Sequence, residues 1–112
     1  MAAPLFDASK PTFAELLEAC PVVPGAIVSK PLLDLPGGKV ILFAMDEGQA
    51  MSEHQAPFVA TVHVLEGRLR FGVAGQEQVM GSHAVLAMPE SAPHDLTALE
   101  PTRFLLTLFK QP

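Results

Sequence analysis

Four histidines, His54, His63, His83 and His94, are the side chains in this 112-residue sequence best suited to chemistry. A neutral imidazole can ligate a metal, carry a proton or orient a ligand through one hydrogen bond. Gln49, Gln55, Glu47 and Glu53 flank His54 in sequence, and any of them could swing in from a loop to assist it. Ser52, Ser82 and Ser91 have histidines nearby, but there is no Gly-x-Ser-x-Gly elbow and no triad order to read, which argues against serine hydrolase chemistry. Cys20 is the only cysteine and carries no marker of a lowered pKa, so it reads as a small packed hydrophobe at a helix end. Met45, Met51 and Met88 read as adaptable core or pocket fillers.

Composition narrows the classes of function. The formal net charge is −5 and the seven basic residues are scattered, so no phosphate-tracking stripe exists and nucleic acid is not an expected partner. The uninterrupted apolar runs, such as Val40 to Met45, fall far short of the roughly 20 residues that span a bilayer. A start of Met-Ala-Ala-Pro without a basic or apolar leader, and a single cysteine, place the expected location in the cytoplasm. Hydrophobic residues make up 49% of the chain and charged ones 17%, enough to fill a core and leave apolar surface for a subunit interface.

The elements that would position the histidines follow from periodicity. Phe13, Leu16 and Leu17 recur at helical spacing after Pro11, predicting one short helix over Thr12 to Cys20 within an N-terminal arm of residues 1–25. From residue 26 to about 110 the chain turns to short β-branched and aliphatic runs closed by Gly or Pro, the pattern of an all-β barrel. Eight strands are expected: 26–33, 40–46, 59–65, 68–73, 77–80, 84–88, 94–98 and 104–109. Pro36-Gly37-Gly38, Glu66-Gly67 and Ala74-Gly75 are expected to supply turns of positive φ, the last two as hairpins. VILFAM and FLLTLF are apolar on both faces, so both faces need cover, and a homodimer is the expected source.

Two stretches, EGQAMSEHQAPFVATVHVLEGRLRF and SHAVLAMPESAPHDL, are similar to the paired motifs of the cupin superfamily. Gly48, His54 and Gly67 fall on the first motif, and Pro89 and His94 on the second. Together with FAMDEGQ, VLEGRL and RFLLTL, the sequence resembles small bacterial single-domain cupins over roughly residues 26–109. The resemblance implies a double-stranded β-helix, or jelly-roll barrel, in which residues remote in sequence meet at one pocket.

It also implies a pocket lined by Ala56, Ala60, Val62 and Val64, with His54 and His94 as its polar groups. Family members of this kind hold a divalent ion (Fe, Mn, Ni or Zn) with three His and one Glu. Here the second His position is Ala56, and the Glu position is Ala60 or Thr61. A weak or absent metal on His54 and His94, with help from Gln49 or Gln55, is therefore favoured over a tight structural ion. At the second motif His83, Ser91 and Ala98 replace Gly, Gly and Asn. His63 lies four residues before Gly67 and the family's inward Glu seven, so alternation turns His63 to the outer or subunit-facing surface; His83 is expected at an exposed turn. Three functions follow from the resemblance: binding of a small organic ligand, as a sensor or accessory protein; a metal-dependent dioxygenase, isomerase or decarboxylase acting on a small acid or dicarbonyl; or a dimerising structural module.

Overall fold

The short apolar runs become strands in the computed structural model, which describes residues 3–110. The strands are β1 (Ile27–Leu35), β2 (Gly38–Met45), β3 (Ala50–His54), β4 (Val59–Glu66), β5 (Leu69–Val73), β6 (Gln76–Met80), β7 (Val85–Met88), β8 (His94–Ala98) and β9 (Thr102–Phe109). One sheet runs β1-β2-β9-β4-β7 and the other β3-β8-β5-β6, with antiparallel pairing throughout. Alternation along each strand sends one set of side chains between the sheets. There Met45, Val62, Val64, Leu69, Phe71 and Phe104 form the buried core with their neighbours. Cross-strand partners Phe43 and Phe104 stack with ring centres 5.0 Å apart.

The outer face of β1 and β2 is covered from within the chain. Cys20, Leu32, Leu42 and Ala44 form a second buried cluster, against which Phe6, Leu16, Ala19 and Val22 of the arm pack. Leu5 and Phe6 donate backbone N–H groups to Pro31 and Leu32 on the edge strand β1, where a proline costs no ladder bond. Arg103 pins the arm further, donating from Nε to the Cys20 carbonyl at 2.8 Å while its guanidinium pairs with Glu66. The doubly apolar character of β2 therefore has an intramolecular cause over this part of the sheet. Burial pushes the Cys20 thiol pKa up, in keeping with a packed, neutral side chain.

Four local expectations need correction. The helix is a single turn, α1 (Leu16–Ala19), rather than 12–20. Glu15 caps it without a side-chain hydrogen bond, and Phe13 is 86% exposed, so nothing rewards extending it toward Pro11. Glu66-Gly67 is not a hairpin: β4 pairs with β9 and β7, and the chain there changes sheets. Pro36-Gly37 closes the β1–β2 hairpin without positive φ, whereas Ala74 (φ 49°) and Gly75 (φ 81°) both carry it in the β5–β6 hairpin. The eight expected strands omit residues 50–54, which form a ninth, β3, an edge strand that pairs with β8 among the described residues.

Gly67 has φ 97°, and a Cβ there would lie 2.7 Å from the Thr102 Cα and closer still to the Pro101 carbonyl oxygen. Gly67→Ala is expected to lower stability by about 2 kcal/mol or more. Ala74→Asn, which suits a turn with both central residues left-handed, is expected to raise it by about 0.5–1 kcal/mol. Urea unfolding of the two variants checks both signs.

Candidate functional site

His54 ends β3 and His94 begins β8, and the register places them opposite each other. Their rings are 4.1 Å apart, edge to face, at one end of the barrel. His94 is buried and stacks on Phe71 of the core, ring centres 5.8 Å apart, while His54 is exposed. The loops around the pair are tied together, since the Ser91 N–H donates to the Ala56 carbonyl at 2.7 Å.

Both imidazoles are oriented in the same way. Nδ1 of His54 lies 2.7 Å from the Ser52 carbonyl oxygen, and Nδ1 of His94 lies 2.9 Å from that of Ala92. A carbonyl oxygen only accepts, so each Nδ1 must carry the proton. Each Nε2 is then left as a lone pair in the neutral ring, the state a metal or a ligand hydroxyl requires. No fully buried side-chain nitrogen or oxygen lacks a partner among the described residues. Among the described residues the Nε2 of His94 makes no hydrogen bond, so it reaches accessible space at the barrel mouth.

The other expected site residues divide. Ala56 lies in the loop beside the pair. Ala60, Val62 and Val64 face inward, but at 1% exposure or less they are packed into the core with Met45, Phe71 and Phe104. Gln55 follows His54 and is exposed. Gln49 is not brought to the pair: its carbonyl accepts the Ala98 N–H, at the opposite end of β8 from His94. His63 points to the outer face, where His83 meets it with ring centres 6.3 Å apart.

The β-strand barrel of two antiparallel sheets can be compared with known proteins on this geometry. No protein-family model and no curated protein matches the sequence. A conserved protein of unknown function from Streptococcus pyogenes superposes with a TM-score of 0.86 at 21% identity, covering 99% of this chain and 97% of its own. An RmlC-like cupin from Desulfovibrio desulfuricans superposes with a TM-score of 0.79 at 25% identity, over 89% and 97%. A cupin 2 conserved barrel domain protein from Leptotrichia buccalis gives 0.79 at 29% identity, over 83% of this chain and 45% of the other. The chain folds as a cupin.

Within that cupin fold the metal question can be put to the residues. The pair offers two imidazole nitrogens, both in the tautomer that binds metal, but Ala56 and Ala60 or Thr61 stand where the cupin motif places two further donors. Among the described residues no three His, Cys, Asp or Glu side chains gather around one point. The donor set thus fits a weakly held divalent ion completed by water or ligand, and does not fit the four-donor cage. Such an ion, when bound, supplies a Lewis acid.

Two features of this barrel have no signal in the sequence. Ser91 and His83, which replace motif glycines, both have left-handed backbones, φ 62° and 71°, so the fold keeps glycine geometry without glycine. On the outer face of the second sheet, behind the histidine pair, Arg70 is flanked by Asp95 (2.6 Å) and Glu77 (3.4 Å) in an open depression of about 240 Å³ that Glu53 and Gly72 help line. The hydrogen bond from Arg70 to Asp95 raises the guanidinium pKa beyond its ordinary value. Only three-dimensional pairing of β5, β6 and β8 assembles this group; the sequence carries no signal for it.

His94→Ala removes a buried ring stacked on Phe71 and is expected to cost about 1–3 kcal/mol, whereas exposed His54→Ala is expected to cost less than about 0.5 kcal/mol. Equal costs in denaturant titrations would contradict this placement.

Proposed function

We propose that the protein binds a small organic molecule at the barrel mouth, with His54 and His94 as the polar groups that orient it. The observation that carries this reading is the pair of oriented imidazoles, each with Nδ1 committed to a carbonyl and Nε2 left over, 4.1 Å apart above an apolar core. Two neighbouring imidazole lone pairs call for a ligand that presents donors, such as a hydroxyl, an enol or an N–H. A sensor or accessory role follows from binding without a full metal cage. The same lone pairs also favour a second reading, a metal-dependent cupin enzyme (dioxygenase, isomerase or decarboxylase) acting on a small acid or dicarbonyl.

A cytoplasmic location belongs to this proposal and is compatible with the buried free thiol of Cys20. No helix among the described residues is long and apolar enough to cross a membrane. A homodimer is also part of it: the arm leaves the start of β4 and the end of β9 uncovered, where the cross-strand partners Val59 and Phe109 are 38% and 46% exposed.

Elemental analysis and native mass spectrometry of the wild type and of the His54→Ala/His94→Ala double variant test the site. The expected result is little metal, and a small molecule that the wild type retains and the variant loses. Near-stoichiometric metal lost in the variant would replace binding with the enzyme reading. Neither metal nor ligand under any condition would leave a structural module in place of both. Sedimentation at micromolar concentration is expected to show a dimer; a monomer rejects the interface.

A further inference from the structure

The molecule carries a second histidine pair on the opposite side of the first sheet from the core. His63 lies on β4 with its side chain outward, cross-strand from Leu105 and Val85, and His83 lies in the turn before β7. Their rings are 6.3 Å apart, tilted by 50°. The backbone joins them closely, because the His83 N–H donates to the Val64 carbonyl at 2.7 Å. His63 is half-buried and His83 exposed, so both rings are open to solvent on the outer face.

An ion bound through two imidazole nitrogens at about 2.0–2.1 Å puts the ring centres at most roughly 6.4 Å apart, and nearer as the angle at the metal closes toward tetrahedral. The observed separation of 6.3 Å lies inside that limit. His83 also sits at a φ of 71°, a left-handed conformation that glycine adopts freely and that histidine adopts more readily than most residues with a side chain. The turn thus holds an imidazole beside His63. We propose that His63 and His83 form a two-histidine surface site for an imidazole-preferring first-row divalent ion, Ni²⁺, Cu²⁺ or Zn²⁺, with water at the remaining positions. A bound ion links β4 to the turn that leads into β7, the edge strand of the sheet.

This site is independent of the barrel-mouth pair, and the experiment keeps the two apart. The His54→Ala/His94→Ala double variant is titrated with Ni²⁺ alone by calorimetry, with histidine side-chain resonances followed by NMR. One equivalent of Ni²⁺ is expected to bind and to broaden the resonances of His63 and His83 selectively, with no binding of Mg²⁺. Adding His83→Asn, which tolerates the left-handed backbone, or His63→Gln is expected to weaken binding at least about tenfold. Absence of binding in the double variant, or binding indifferent to both added substitutions, overturns the site.

Discussion

The change of sheet at Gly67 is the constraint on which the rest of the barrel rests. Gly67 lies so close to Pro101 and Thr102 that any side chain would collide with backbone. Thr102 is fully buried there; its hydroxyl accepts the Arg68 N–H and donates its one proton to the Glu100 carbonyl at 2.7 Å. This contact carries the chain from β4, central in one sheet, to β5 in the other, while β9 starts beside it and closes the first sheet between β2 and β4. The inward rows of both sheets then face each other across one core. A connection that kept β5 beside β4 would leave those rows without a second layer.

Given that arrangement, the two histidine pairs are consequences of strand period and register. His54 and His94 share an inward row because β3 and β8 pair at those residues. His63 alternates with Val62 and Val64, both in the core, and so must face outward. The same rule puts Arg70 and Asp95 outside while Leu69, Phe71 and His94 point in. One sheet thus separates an imidazole pair over an apolar core from a charged depression, and the other separates that core from the outer histidines.

The N-terminal arm changes how the apolar surplus is used. Leu32, Leu42 and Ala44 would be exposed on a bare barrel, and the arm buries them with Leu16, Ala19 and Cys20. Much of the composition that suggested a subunit interface is spent within the chain, and the uncovered remainder lies at the start of β4 and the end of β9. Asp46 contributes to the same closure, its carboxylate accepting the N–H groups of Gly25 and Glu47 where the arm joins the barrel.

From the sequence alone the all-β class, most strand positions and the pairing of His54 with His94 were legible. Alternating apolar runs punctuated by Gly and Pro encode local strand geometry, and the spacing of Gly48, His54, Gly67, Pro89 and His94 resembles a known motif. The outward direction of His63 was legible too, because the resemblance fixed which face of the strand is inward and period two then sets the rest. Strand β3 was not, since AMSEH has no apolar alternation and owes its extended form to hydrogen bonds from β8. The length of the helix, the sheet switch at Gly67 and the burial of Ala60, Val62 and Val64 within the core were likewise set by packing between distant segments. Only the tertiary structure could bring His83 to His63 or Arg70 to Asp95, because a ring separation or an ion pair depends on which strands are neighbours, and register between remote strands is not written in any local window of residues.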